Sequence, residues 1–134
     1  MNLIDEIKKH EGFKSTVYKC TEGYDTIGYG FAIKDLEIDE EIAELILSRK
    51  LGNLQLRICN TFDWYIESPQ KVQDVIMNMC YQMGLSGFSK FKKTIYYLET
   101  EQYEEAADEM LDSLWAKQTP NRAKELSNII RNLL

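Results

Sequence analysis

Three groups able to share one acid–base reaction stand close together near the start of the chain. They are Glu11, Cys20 and Thr26, with eight residues between the first two and five between the second and third. A carboxylic acid, a thiol and a hydroxyl at these positions can cut an acetal. The acid protonates the leaving oxygen, and water or a protein nucleophile captures the cationic carbon. Glu11 keeps a proton near neutral pH if it is part-buried, because desolvation raises a carboxyl pKa. Cys20 has an ordinary pKa of about 8.5, so little thiolate is present unless something lowers it. Three roles stay open for it: a thiolate that activates water or steadies the cation, a nucleophile that forms a covalent intermediate, or no role. Lys19 adjoins it, but alternate residues of a strand point to opposite faces.

The flanking residues suggest how these groups are held. Asn2 reads as the N-cap of a first helix with Leu3, Ile4 and Ile7 on one face. Gly12 suits its C-terminal end, which puts Glu11 in the last turn. From Phe13 to Phe31 the pattern becomes a small hairpin or curled sheet. Thr16–Tyr18 favour one strand, Thr21-Glu22-Gly23-Tyr24 a turn, and Thr26, Ile27 and Tyr29 a second strand among glycines. Asp39 reads as the cap of a long helix from Glu40, with an apolar stripe at Ile42, Leu45, Ile46 and Leu51 and a weak point at Gly52. Pro69 opens another helix at its first position. That helix is apolar at Val72, Val75, Ile76, Met79 and Cys80 and breaks at Gly84–Gly87. Helices are expected at 89–98, 101–115 and 120–134, with Thr100 and Thr119 as caps of the last two. The expected class is α+β and mostly helical, with a small N-terminal β-hairpin lobe joined by a long helix to a helical lobe. A cleft between the lobes is the default site.

Composition narrows the possibilities. The chain has 134 residues, 44% hydrophobic and 28% charged, enough for one domain with a core of its own. No segment reaches the roughly 20 apolar residues of a membrane helix, and the N-terminus lacks the apolar run of a secretory signal. Cytoplasmic synthesis and no stable membrane association are therefore expected. A net charge of −6 argues against nucleic acid as a partner. Residues 37–67 carry seven acids and three bases, so charge is uneven. Cys20, Cys59 and Cys80 match no metal-ligand spacing, and His10 stands alone. Cys59 and Cys80 read as buried thiols.

The run from Glu11 to Gly30, EGFKSTVYKCTEGYDTIGYG, resembles the catalytic region of phage lysozymes of the T-even type, with Cys20 where Asp is usual. Met79-Cys80-Tyr81-Gln82-Met83-Gly84 is similar to that family's aromatic-Gln-Met-Gly helix motif. Trp115 followed by Gln118-Thr119-Pro120-Asn121-Arg122-Ala123 is similar to a third family signature. The resemblance implies a single lysozyme domain over residues 1–134. It would have a β lobe at 12–36, a connecting helix at 37–60 and a helical lobe at 61–134, with the first helix packed on the helical lobe.

The resemblance also implies an activity, hydrolysis of the β-1,4 bond between N-acetylmuramic acid and N-acetylglucosamine in peptidoglycan, with no cofactor and no metal. Glu11 would be the general acid, and Thr26 would hold the attacking water. Arg122 would orient the Glu11 carboxylate, and Tyr81 and Gln82 would line the sugar cleft. The protein would act as a monomeric endolysin. It would wait in the host bacterial cytoplasm until a separate holin-type protein opens the way to the periplasm and wall. Two other readings stay open, a catalytically impaired peptidoglycan-binding protein and a lytic transglycosylase. The chain departs from the family pattern at Phe31, where His is usual, and at Ala32, where a bulky apolar residue is usual. Lys50 falls near the place of that His's acidic partner, and the chain is about thirty residues shorter than the T-even enzymes.

Overall fold

The structure is a computed structural model that describes residues 2–133. It divides into two compact units, residues 1–44 and residues 45–134.

The first unit opens with helix α1 (Leu3–Glu11). Asn2 Oδ1 accepts the Asp5 N–H at 2.9 Å, which satisfies one of the helix's free amide donors. Gly12, at φ +70, ends the helix and donates its N–H to the Lys8 carbonyl at 2.9 Å. Glu11 is therefore the last helical residue, as expected.

Strands β1 (Lys14–Lys19), β2 (Asp25–Gly28) and β3 (Phe31–Ala32) form an antiparallel sheet in the order β1-β2-β3. Tyr18 pairs with Thr26 and Lys19 with Asp25, while Thr26 pairs with Ala32 on its other side. The second strand stops at Gly28, earlier than the alternation at Ile27 and Tyr29 suggests. Gly28 (φ +71) and Gly30 (φ +79) are left-handed, so Tyr29-Gly30 turns the chain back into a short third strand. A 3-10 turn at Ile33–Asp35 follows.

Helix α2 (Glu40–Thr61) contains the division between the units. Asp39 Oδ1 accepts the Ile42 N–H at 2.9 Å, so the expected cap is present. Gly52 does not interrupt the helix. A single glycine costs only about 1 kcal/mol in a helix, and Leu54 and Ile58 on the next turns are buried.

The second unit continues through α3 (Gln70–Phe88), α4 (Lys92–Glu99), α5 (Tyr103–Leu111), α6 (Leu114–Gln118) and α7 (Pro120–Arg131). Its core gathers Ile58 from α2, Val72, Ile76, Met79 and Phe88 from α3, and Ile130 from α7. Several boundaries differ from the sequence reading. Pro69 is the cap of α3 rather than its first residue, because Gln73 N–H already bonds its carbonyl. Gly84 (φ 79, ψ 157) kinks α3, and the helix resumes to Phe88. The helix expected at 101–115 is two helices, because Ser113 Oγ accepts the Ala116 N–H and starts a new one. Thr100 closes α4 instead of opening α5. Thr119 is the cap residue of α7, but its hydroxyl donates back to the Trp115 carbonyl at 3.0 Å. The last helix ends at Arg131, and Leu134 of the expected span lies outside the described residues.

Candidate functional site

The hairpin between β1 and β2 brings Cys20 and Thr26 together. Cys20 N–H donates to the Tyr24 carbonyl at 3.0 Å, and Gly23 N–H donates to the Cys20 carbonyl at 2.9 Å. Gly23 sits at φ +84, a conformation that glycine adopts without a side-chain clash. Thr26 is buried, and its hydroxyl donates to the same Tyr24 carbonyl at 2.9 Å. One carbonyl oxygen thus fixes both the backbone of the thiol residue and the side chain of the hydroxyl residue.

The Cys20 thiol is free and half-buried. Hydrogen bonds from the backbone N–H of Tyr24, then of Glu22, hold its pKa below the ordinary thiol value. Partial desolvation and the Glu22 carboxylate oppose them, and the Thr26 hydroxyl adds a smaller lowering. Thr26 has only one hydroxyl proton, and here the Tyr24 carbonyl takes it. The two amides therefore carry the effect on the thiol. Lys19 is engaged elsewhere, 2.7 Å from Asp25 in an exposed pair.

Glu11 ends α1 with its carboxylate against Gly30. A Cβ at Gly30 would lie 2.7 Å from Glu11 Oε2 and 3.3 Å from Cδ. The absent side chain is what lets the acid rest on the Tyr29-Gly30 turn. Glu11 itself is exposed, so the part-burial that suits a general acid is not supplied by its own unit. The cause is local, since no residue of α1 is buried.

The helical unit holds the other three expected residues. Tyr81 is half-exposed on α3. The neighbouring Gln82 accepts the indole N–H of Trp115 at 2.8 Å, which ties the two helical signature runs together. Arg122, on α7, donates from Nε and Nη2 to Asn78 Oδ1 at 2.8 and 2.6 Å. Tyr81, Asn78 and Arg122 line one depression of about 340 Å³, with Tyr65, Gln70 and Asp74. Gln82 does not line it. Sequence reasoning missed Asn78, and it read Gly30 as room for a sugar or backbone rather than for the Glu11 carboxylate. Asn78 stands three residues before Tyr81 on the same helix, a spacing that places them on one face.

Comparison with known proteins identifies the family. A family model described as phage lysozyme matches residues 8–131. The chain belongs to the phage lysozyme family. Its relatives include two probable T4-type lysozymes of Dictyostelium discoideum, each 30% identical over 159 aligned positions. Those alignments cover 96% of this chain and 93% and 92% of the relatives. The pre-baseplate central spike protein of Enterobacteria phage T4 is 28% identical over 97% of this chain but only 28% of its own length. The 159 positions exceed the chain's 134 residues, so the relatives carry segments that this phage lysozyme lacks. Family membership suggests a glycosidase-type enzyme. Among the described residues, no helix is long and apolar enough to cross a membrane.

Proposed function

We propose that this phage lysozyme hydrolyses the β-1,4 bond between N-acetylmuramic acid and N-acetylglucosamine in peptidoglycan and so lyses a bacterial host. The observation that carries the reading is the meeting of Cys20 and Thr26 on the Tyr24 carbonyl, in the unit that also holds Glu11. In this mechanism Glu11 gives its proton to the leaving sugar oxygen, and the bond to the anomeric carbon breaks. Thr26 positions a water on the opposite face. That water attacks the carbon as Cys20 thiolate takes its proton, and Glu11 regains a proton from solvent. If Cys20 instead attacks the carbon directly, the thioglycoside is released by water, with Glu11 carboxylate as the base. The lowered thiol pKa supports either use of the thiolate.

The helical unit contributes positioning. Within that unit Arg122 is held by Asn78, and Tyr81 and Gln82 are the side chains offered to the sugar. The protein works as a monomer, reaching the wall from the host cytoplasm through a lesion made by a holin-type protein.

The test is turbidity loss of outer-membrane-permeabilised Gram-negative cells. The wild type should clear them, and Glu11→Gln should lose at least about a hundredfold in rate, the scale of one general acid. Products should carry reducing ends. A 1,6-anhydro end would replace hydrolysis with a transglycosylase reaction. No clearing, with binding to isolated sacculi intact, would leave only a wall-binding protein.

A further inference from the structure

Tyr24 links two features of the first unit. Its backbone is the centre of the site. The carbonyl accepts both Cys20 N–H and the Thr26 hydroxyl, and the N–H is the first of the two amides that favour the thiolate. Its ring carries something else. Lys34 Nζ lies 4.0 Å from the ring centroid, a close cation–π approach.

Lys34 belongs to the 3-10 turn at Ile33–Asp35, directly after β3. That turn packs on β2, which carries Thr26. Tyr24 is half-exposed, so no core holds the ring in place. Lys19, Gly23, Asp25 and Ile33 complete the shallow depression around the pair. The charged side chains on the hairpin tip and the 3-10 turn are Lys19, Glu22, Asp25, Lys34 and Asp35. Lys19 and Asp25 form an ion pair.

We propose that Lys34 and the Tyr24 ring form a clamp that holds the 21–24 turn closed over Cys20, making both of them positioning residues for the thiol. The proposal deepens the reading of Cys20 as a working thiolate and rests on it. The hairpin tip is exposed, with a left-handed glycine one residue before Tyr24. Such a turn has few contacts to fix where its amides point. The clamp ties its last residue to a neighbouring element, so the amides stay directed at the sulfur. Releasing the clamp lets the turn move away and returns the thiol toward its ordinary acidity.

The experiment is alkylation of the full-length chain with iodoacetamide across pH 6–10, with Cys20 followed by peptide mass spectrometry. Tyr24→Leu and Lys34→Met should each raise the alkylation midpoint by about half a pH unit, the equivalent of one exposed cation–π contact. The double variant should move it no further than either single change. Lys34→Arg should restore the wild-type midpoint, since guanidinium also binds an aromatic face.

Equal midpoints in wild type, Tyr24→Leu and Lys34→Met would overturn the clamp. So would a shift in Lys34→Met with none in Tyr24→Leu, which would mean that the ammonium acts on the thiol through space. Wall clearing is measured on the same samples. Midpoints that shift as expected in the variants, with a wild type that cuts no glycan, would keep the clamp and sink the hydrolase reading.

Discussion

The two units solve different problems. In residues 45–134 helices bury a continuous apolar core, and every residue of that core comes from this unit. In residues 1–44 Thr26 is the one buried residue among those described, and it is polar. Charge divides in the same way. Residues 1–44 hold eleven acids and five bases, and residues 45–134 hold eleven of each, so the whole net charge of −6 belongs to the first unit. The unit that carries Glu11, Cys20 and Thr26 has its reactive groups set by turns, a short sheet and backbone hydrogen bonds. The helical unit is held by burial. The placement of Glu11 and Cys20 rests on directional contacts that leave both accessible.

This contrast predicts very different responses to substitution. The largest should come from the helical core. Phe88→Ala removes a fully buried ring and should cost about 3–5 kcal/mol in urea unfolding. Val17→Ala, on an exposed strand position, should stay within about 0.5 kcal/mol. A Val17 cost like that of Phe88 would break the comparison.

Alkali should also act first on the helical unit. Burial pushes the Cys80 thiol up to about 12, with Arg57 opposing weakly, and burial pushes Tyr65 to about 12 as well. A group raised in the folded state gives stability that is complete below its unfolded pKa and lost as pH climbs toward the folded one. For Cys80 the loss should begin near the ordinary thiol value of about 8.5. Denaturation midpoints measured from pH 8 to 11 should fall for the wild type and less steeply for Cys80→Ala.

In the first unit, activity should be more sensitive than stability. Gly30→Ala places a methyl against Glu11 Oε2 in a left-handed turn. It should cost about 1 kcal/mol of stability and about tenfold or more in clearing rate as the acid is displaced. Unchanged clearing would mean that the contact with Gly30 does not set the acid's position. A modest effect should come from Trp115→Phe, which removes the donor to Gln82 and should cost about 1 kcal/mol by urea titration.

Much of this was legible in the chain itself. Asn2, Gly12 and Asp39 mark helix ends through local hydrogen bonds and backbone sterics, and each stands where its residue type suggests. The three signature runs carry the family because they are contiguous. Gly52 misled because propensity competes with context, and the cap at Ser113 went unread. The buried Leu54 and Ile58 keep α2 whole, while a serine cap divides the helix expected at 101–115.

Residue order by itself determined most of the elements, the reactive types and their spacing, since these depend on near neighbours. Only the tertiary structure decided which atoms meet. The Tyr24 carbonyl gathers Cys20 and Thr26 across a hairpin, Gly30 makes room for a carboxylate nineteen positions earlier, and Asn78 holds Arg122 from 44 residues away. The first of these spans seven residues and still depends on turn handedness and strand register, while the other two join residues 19 and 44 positions apart, so no short stretch of sequence contains them.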